Sequence, residues 1–82
     1  MKQDNLLVVD DDAELRNLLR EYLGQAGFRV TAVADGRQMR QAMDTARFDL
    51  VILDVMLPGE DGLALCRKLR AGSRIPILML TA

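Results

Sequence analysis

Residues 48–62 have the sequence FDLVILDVMLPGEDG, and this stretch decides the fold. Its apolar run at residues 50–53 is short and contains β-branched side chains, which is typical of a strand buried on both faces of a parallel sheet. The run ends on Asp54, and an unpaired carboxylate is costly inside a sheet, so we expect Asp54 at the carboxyl end of the strand. Ligands of open α/β sheets bind at that edge. Pro58 and Gly59 then predict a turn before the next helix.

Short apolar segments and helical segments alternate along the rest of the chain. Residues 6–9 form a second apolar strand, followed by three aspartates at residues 10–12, and Asp12 is placed to cap a helix. Residues 28–33 alternate in polarity, which predicts a half-exposed edge strand. Residues 75–80 predict a fourth strand. The order β-α-β-α-β-α-β predicts an α/β fold with a parallel sheet, right-handed crossovers and helices on both faces.

Three helices are predicted between the strands, and each carries apolar residues at the spacing of one helical face. In the first helix these are Leu15, Leu18, Leu19, Tyr22, Leu23 and Ala26. In the second helix, capped by Asp35, they are Met39, Ala42, Met43 and Ala46. The third helix spans residues 62–71, and we expect it to bury Leu63, Leu65 or Cys66, and Leu69.

Composition narrows the classes of protein to consider. A chain of 82 residues predicts a single domain, residues 1–82. The net charge is −1 and the signs are interspersed, which predicts neither a nucleic-acid-binding patch nor a membrane-surface helix. The absence of histidine excludes imidazole catalysis and most zinc sites. One cysteine, no signal peptide and no membrane-spanning apolar run together predict a cytoplasmic protein.

Three carboxylates are expected to meet at one edge of the sheet. A lone aspartate at a strand end is commonly only a turn residue, but Asp10, Asp11 and Asp54 follow two different strands. If these strands are neighbours, the like charges converge, and a cation would relieve their repulsion. Hard oxygen ligands without histidine or thiolate indicate Mg²⁺, and a carboxylate beside it is a candidate nucleophile for phosphoryl transfer. Thr81, at the tip of the fourth strand, can donate a hydrogen bond to a phosphoryl oxygen.

Three motifs in combination resemble the receiver domain of response regulators, most closely the OmpR-like subfamily. They are LLVVDDD, DLVILDVMLPGEDG and PILMLTA, and they extend over essentially the whole chain. The resemblance implies a flavodoxin-like doubly wound sheet with strand order 2-1-3-4-5. It implies that a partner histidine kinase phosphorylates Asp54, so that the domain accepts phosphate and is not a turnover enzyme. It also implies that Mg²⁺ is held by Asp10, Asp11, Asp54 and the backbone carbonyl of Met56, and that Thr81 is the switch hydroxyl.

The sequence also departs from the family's pattern. The last helix, strand and helix of the family's domain have no counterpart here, and with them go the phosphate-pairing lysine, the switch aromatic residue and the usual dimerisation face. Lys2 and Lys68, the two lysines of the chain, do not lie at strand tips. We therefore expect a truncated, switch-impaired receiver without an output domain. Apolar surfaces on its first helix and fourth strand predict a homodimer or a higher assembly.

Two other interpretations remain open from the sequence. A phosphatase of the haloacid dehalogenase type also places Asp-x-Asp after an apolar strand, and Asp10 and Asp12 have that spacing. Glu14 stands where that motif carries threonine or valine, no suitable lysine is present, and Asp54 would have no role. Alternatively, the chain is a self-associating half-fold with a structural role, and its acidic pocket is retained from an ancestor without a function of its own.

Overall fold

The computed structural model describes residues 4–57 and 59–80. The elements, in chain order, are β1 (Asn5–Val9), α1 (Ala13–Gln25), β2 (Arg29–Val33), α2 (Gly36–Thr45), β3 (Leu50–Asp54), β4 (Met56–Leu57), β5 (Glu60–Asp61), α3 (Gly62–Gly72) and β6 (Ile77–Leu80). The predicted alternation of strands and helices is confirmed. One addition was not predicted: β4 and β5 form a short antiparallel hairpin in the loop after β3.

The main sheet has four parallel strands in the order β2-β1-β3-β6. This is the flavodoxin-like order that the resemblance implies, with β6 as the fourth strand. β2 lies at one edge, as its alternating sequence predicts, and β6 lies at the other. β6 begins at Ile77, two residues later than expected. Pro76 precedes it, has no N–H to donate to the ladder, and contributes its carbonyl to the N–H of Val51 at 3.0 Å.

Alternate residues of the central strands face opposite layers, as the twofold period of a strand requires. One face packs against α2 and α3 and forms the main core, which contains Leu7, Val9, Met39, Val51, Leu53, Leu57, Leu65 and Leu69. The opposite face carries Leu6, Val8 and Ile52, which are also buried. The remaining helix, α1, contacts β1 and β2. Helices therefore cover both faces, as predicted.

The burial of α3 differs from the expected pattern, whereas that of α1 follows it. Leu63 was predicted to be buried in α3, but it is 50% exposed, whereas Leu65 and Leu69 are buried. Two residues correspond to roughly 200° around a helix axis, so Leu63 cannot share the face of Leu65. The apolar stripe of α1 contains no buried residue. Leu18 and Tyr22 are 62% and 69% exposed, in keeping with the expectation that this helix leaves leucines uncovered.

The helix caps follow from short polar side chains before each helix. Asp12 and Asp35 are the N-caps of α1 and α2, as predicted, and Asp61 caps α3. Gly27 has φ +100° just after α1, a conformation that favours glycine and ends the helix. None of the helices in residues 4–57 and 59–80 is long and apolar enough to cross a membrane.

Candidate functional site

Asp10 lies at the carboxyl end of β1 and is 3% exposed. β1 is a central strand, so its tip lies between those of β2 and β3. The backbone N–H of Asp10 donates to the carbonyl of Val33 at 3.0 Å, which continues the β1–β2 ladder one residue past the strand. Oδ1 of Asp10 accepts the backbone N–H of Asp12 at 2.9 Å. These bonds fix a carboxylate in a position with little access to water.

Asp11 and Asp12 follow in the turn before α1 and have different environments. Asp11 is exposed at the mouth of the site. Oδ1 of Asp12 accepts the backbone N–H groups of Glu14 at 2.9 Å and Leu15 at 3.3 Å, so its carboxylate is committed to capping α1. The phosphatase interpretation needs Asp12 as well as Asp10, and this capping role argues against it.

Asp54 is the last residue of β3 and is half-buried. It pairs with Leu80 of β6, and the carbonyl of Leu80 accepts the N–H of Val55 at 3.1 Å. Oδ1 of Asp54 accepts the backbone N–H of Met56 at 2.9 Å, which orients the carboxylate. The strand thus delivers Asp54 to the carboxyl edge of the sheet, where the sequence predicted it.

The acidic cluster consists of Asp10, Asp11 and Asp54, and one carboxylate oxygen from each lies within 4.8 Å of the other two. β1 and β3 are neighbouring strands in register, so their tips meet. The cluster opens into a cleft of about 380 Å³ that Leu15, Met56 and Leu80 also line. Among the described residues, no lysine or arginine lines this cleft.

The electrostatics of the cluster favour a bound cation. Burial raises the pKa of Asp10 above its usual value, the N–H of Asp12 opposes the rise, and the charges of Asp54, Asp11 and Asp12 add to it. The fold therefore holds the carboxylates together against desolvation and mutual repulsion, and a bound cation would offset this unfavourable free energy. Three carboxylate oxygens of graded burial fit a hard divalent cation that keeps part of its water shell.

The raised pKa of Asp10 predicts a pH dependence of the metal-free protein. Because the folded pKa exceeds the unfolded one, Asp10 contributes stability that is fully present below the unfolded pKa and is lost as the pH rises through the folded pKa. Thermal unfolding of the wild type and Asp10→Asn in EDTA checks this, since the variant lacks that titration. We expect the variant's advantage in melting temperature to grow as the pH rises from about 3 to 7. A constant difference across this range would contradict the prediction.

Comparison with known proteins decides the family. The model of the response regulator receiver domain family matches residues 6–82. This chain belongs to that family. The resemblance drawn from its three motifs is therefore confirmed.

Curated relatives of this receiver domain are regulatory proteins of bacteria. The transcriptional regulatory protein GltR of Pseudomonas aeruginosa is 52% identical over 81 residues, covering 95% of this chain and 34% of that protein. The DNA-binding response regulator MtrA of Mycobacterium leprae is 49% identical over 80 residues, covering 98% of this chain and 36% of that protein. The receiver chain spans about a third of the length of these curated relatives.

Solved structures share the fold of this receiver domain. The BeF3-activated receiver domain of RstA from Klebsiella pneumoniae superimposes with a TM-score of 0.89 at 38% identity, covering 95% of this chain and 67% of that one. TrrA from Thermotoga maritima, solved in complex with Mg²⁺-BeF, has a TM-score of 0.90 at 33% identity, covering 98% of this chain and 70% of that one.

The loop after Asp54 places Met56 beside the acidic cluster of this receiver domain. Met56 lines the cleft, and its side chain is 70% exposed. Two predicted residues, Thr81 and Pro58, lie outside the described residues.

A glycine allows the loop to fold back against β3. The N–H of Gly62 donates to the carbonyl of Val55 at 3.1 Å, and a Cβ on Gly62 would lie 2.5 Å from the carbonyl oxygen of Asp54. No other residue type fits so close to the backbone without moving it. The sequence showed this glycine only as the start of a helix, because the contact depends on how the loop returns.

Arg16 is a contributor to the site that the sequence analysis missed. Its Nη1 donates to the backbone carbonyl of Asp10 at 2.8 Å, which ties α1 to the tip of β1. Arg16 is half-buried, and it is not among the residues that line the cleft. On the sequence, Arg16 belongs to the polar positions of an amphipathic helix, and nothing in that pattern distinguishes it from the other arginines.

Proposed function

We propose that this receiver domain accepts a phosphoryl group on Asp54 from a sensor histidine kinase in two-component signal transduction. The proposal rests on one observation: the carboxylate oxygens of Asp10, Asp11 and Asp54 converge within 4.8 Å at the carboxyl edge of the sheet. Of these three, Asp54 is both oriented by a backbone hydrogen bond and half-exposed, so a donor can reach it.

Mg²⁺ is the proposed metal, and its ligands would be Asp10, Asp11, Asp54 and the backbone carbonyl of Met56. When bound, it would neutralise charge on the phosphoryl oxygens and on the carboxylates. A carboxylate oxygen of Asp54 forms the new bond to phosphorus, and the bond from phosphorus to the donor's imidazole nitrogen breaks. Thr81 is proposed to donate its hydroxyl to a phosphoryl oxygen afterwards and so to act as the switch.

The biological setting is part of the proposal. A domain that accepts one phosphoryl group on its own side chain acts as a signalling module and not as a turnover enzyme. Such a role places the domain in the cytoplasm, and the chain itself would bind neither nucleic acid nor membrane. Covalent labelling by acetyl phosphate with Mg²⁺ tests the function: one phosphoryl group on Asp54 supports it, and unlabelled protein contradicts it.

A second proposal concerns self-association, because an apolar surface of the described chain is uncovered. Leu18 and Tyr22 of α1 are 62% and 69% exposed, and Leu78 of β6 is 52% exposed. Leu78 pairs with Ile52 and so points to the sheet face opposite the main core, the face that α1 covers. β6 is also an edge of the sheet. We infer that a second copy of the chain covers this surface in a homodimer or a higher assembly.

The association is expected to depend on Leu18. Leu18→Glu places a charge in the apolar surface and should weaken dimerisation at least about tenfold in sedimentation experiments, because an unpaired charge buried between two copies costs more than the roughly 1.4 kcal/mol of a tenfold change. Leu63→Glu is the matched control, since Leu63 is equally a leucine exposed on a helix, at 50%, but lies on α3. A monomeric wild type at about 100 μM, or equal weakening by both variants, would refute the interface.

A further inference from the structure

The acidic side chain of Glu60 joins the loop that follows Asp54 to α2. Oε1 of Glu60 lies 3.2 Å from Nη1 of Arg40, a residue 20 positions away in the sequence. The side chain of Glu60 is 25% exposed and that of Arg40 is 51% exposed. Oε2 of Glu60 lies against Gly36, the first residue of α2, where a Cβ would collide with it.

The carboxylate of Glu60 lies at the amino end of α2, where a negative charge stabilises a helix. The first N–H groups of a helix have no partners within it and form a positive end. In α1, Glu14 places a negative charge in the first turn, whereas α2 has no acidic residue in its first turn. Asp35 caps α2 through the N–H of Gln38, and Glu60 supplies a second negative charge from another part of the chain.

Glu60 is also part of the hairpin that carries Met56. Leu57 pairs with Glu60 and Met56 pairs with Asp61 in the β4–β5 ladder. Anchoring Glu60 to α2 therefore restrains the backbone next to Met56, which lines the cleft of the acidic cluster. If the contact between Glu60 and α2 is lost, a smaller fraction of the molecules holds the hairpin in the conformation that binds the cation. The apparent affinity for the cation then falls in proportion to that fraction.

We propose that Glu60 is a positioning residue for the divalent-cation site, held by Arg40 and by the amino end of α2, and that it fixes the hairpin presenting Met56 to the acidic cluster. This inference rests on the proposed function, because it assumes that the cluster binds Mg²⁺. It assigns a role to an acidic residue outside the cluster and to an arginine on a helix that does not line the cleft.

Mg²⁺ titration of charge-neutral variants tests the inference. Glu60→Gln and Arg40→Gln should each weaken Mg²⁺ binding roughly threefold to tenfold, the range that a partly exposed charge pair at a helix terminus supports. The double variant should bind Mg²⁺ no more weakly than Glu60→Gln alone, because Arg40 acts through the carboxylate that this substitution removes. Arg40→Lys keeps the charge and should restore most of the affinity. Arg37→Gln is the control on the same helix and should bind as the wild type does.

Gly36→Ala provides an independent perturbation that keeps both charges. Its added Cβ would displace the end of the Glu60 side chain and would also lie 2.8 Å from Cδ2 of the buried Leu65. We expect weaker Mg²⁺ binding together with a lower melting temperature in EDTA, because the core side chain of Leu65 must shift as well. If the Glu60 and Gly36 variants bind Mg²⁺ like the wild type and differ only in melting temperature, Glu60 is merely structural and the inference is overturned. If the wild type binds no Mg²⁺, the proposed function itself fails.

Discussion

Asp54→Asn is expected to reduce phosphoryl labelling by acetyl phosphate to background, a loss of at least about a hundredfold, because the amide is not a nucleophile. Asparagine keeps an oxygen that can accept the N–H of Met56, so the loop after β3 should be preserved. Intact-mass spectrometry of protein incubated with acetyl phosphate and Mg²⁺ measures the fraction carrying one added phosphoryl group.

Asp44→Asn is the control for this experiment. Asp44 is an exposed carboxylate on α2 and lies outside the acidic cluster, so its loss should leave labelling unchanged. Peptide mapping should place the label of the wild type on Asp54. Persistent labelling of Asp54→Asn, or a label on Asp12 or Asp61, would remove Asp54 from the role of acceptor.

Asp10→Asn should change metal binding and metal-free stability in opposite directions. Without metal, the variant no longer buries a charge beside two other carboxylates, so its melting temperature in EDTA should rise by roughly 5 °C, as about 1 kcal/mol produces in a domain of this size. The amide oxygen can still accept the N–H of Asp12. Mg²⁺ affinity should fall at least about tenfold, because one anionic ligand is lost. Calorimetric titration and thermal unfolding measure the two effects.

Asp11→Asn separates the contribution of charge from that of burial. Asp11 is exposed, so its replacement should weaken Mg²⁺ binding while the melting temperature in EDTA stays nearly constant. A fall in both quantities for Asp10→Asn would mean that its carboxylate stabilises the fold and is not held there against repulsion. That result would contradict the electrostatic account of the site.

The sequence predicts the architecture because local signals and burial agree along most of the chain. A strand such as β3, which is apolar on both faces, must lie inside a sheet covered on both sides, and the alternating β2 must lie at an edge. Asp12 and Asp35 mark helix starts by a mechanism that acts within four residues. The convergence of Asp10 with Asp54 follows from parallel strands once β1 and β3 are neighbours, which the structure shows.

Other features could not be predicted, since they depend on how distant segments meet. The pairing of Glu60 with Arg40 and the contact of Gly62 with the backbone of Asp54 arise only when the loop returns across the sheet edge. Leu63 was predicted to be buried because its leucine looks like part of an apolar stripe, whereas the rotation of α3 directs Leu65 inward. The spacing of apolar residues predicts that a helix has an apolar face, but only its packing against the sheet determines which of those residues are buried.

The account depends on the three carboxylates forming one site for a divalent ion, and anomalous diffraction from crystals containing Mn²⁺, a stand-in for Mg²⁺, tests this most directly. We expect one peak among the carboxylates of Asp10, Asp11 and Asp54, at about 2.1–2.3 Å from its ligand oxygens and next to the carbonyl of Met56. A peak elsewhere on the surface, or no peak at saturating Mn²⁺, would contradict it.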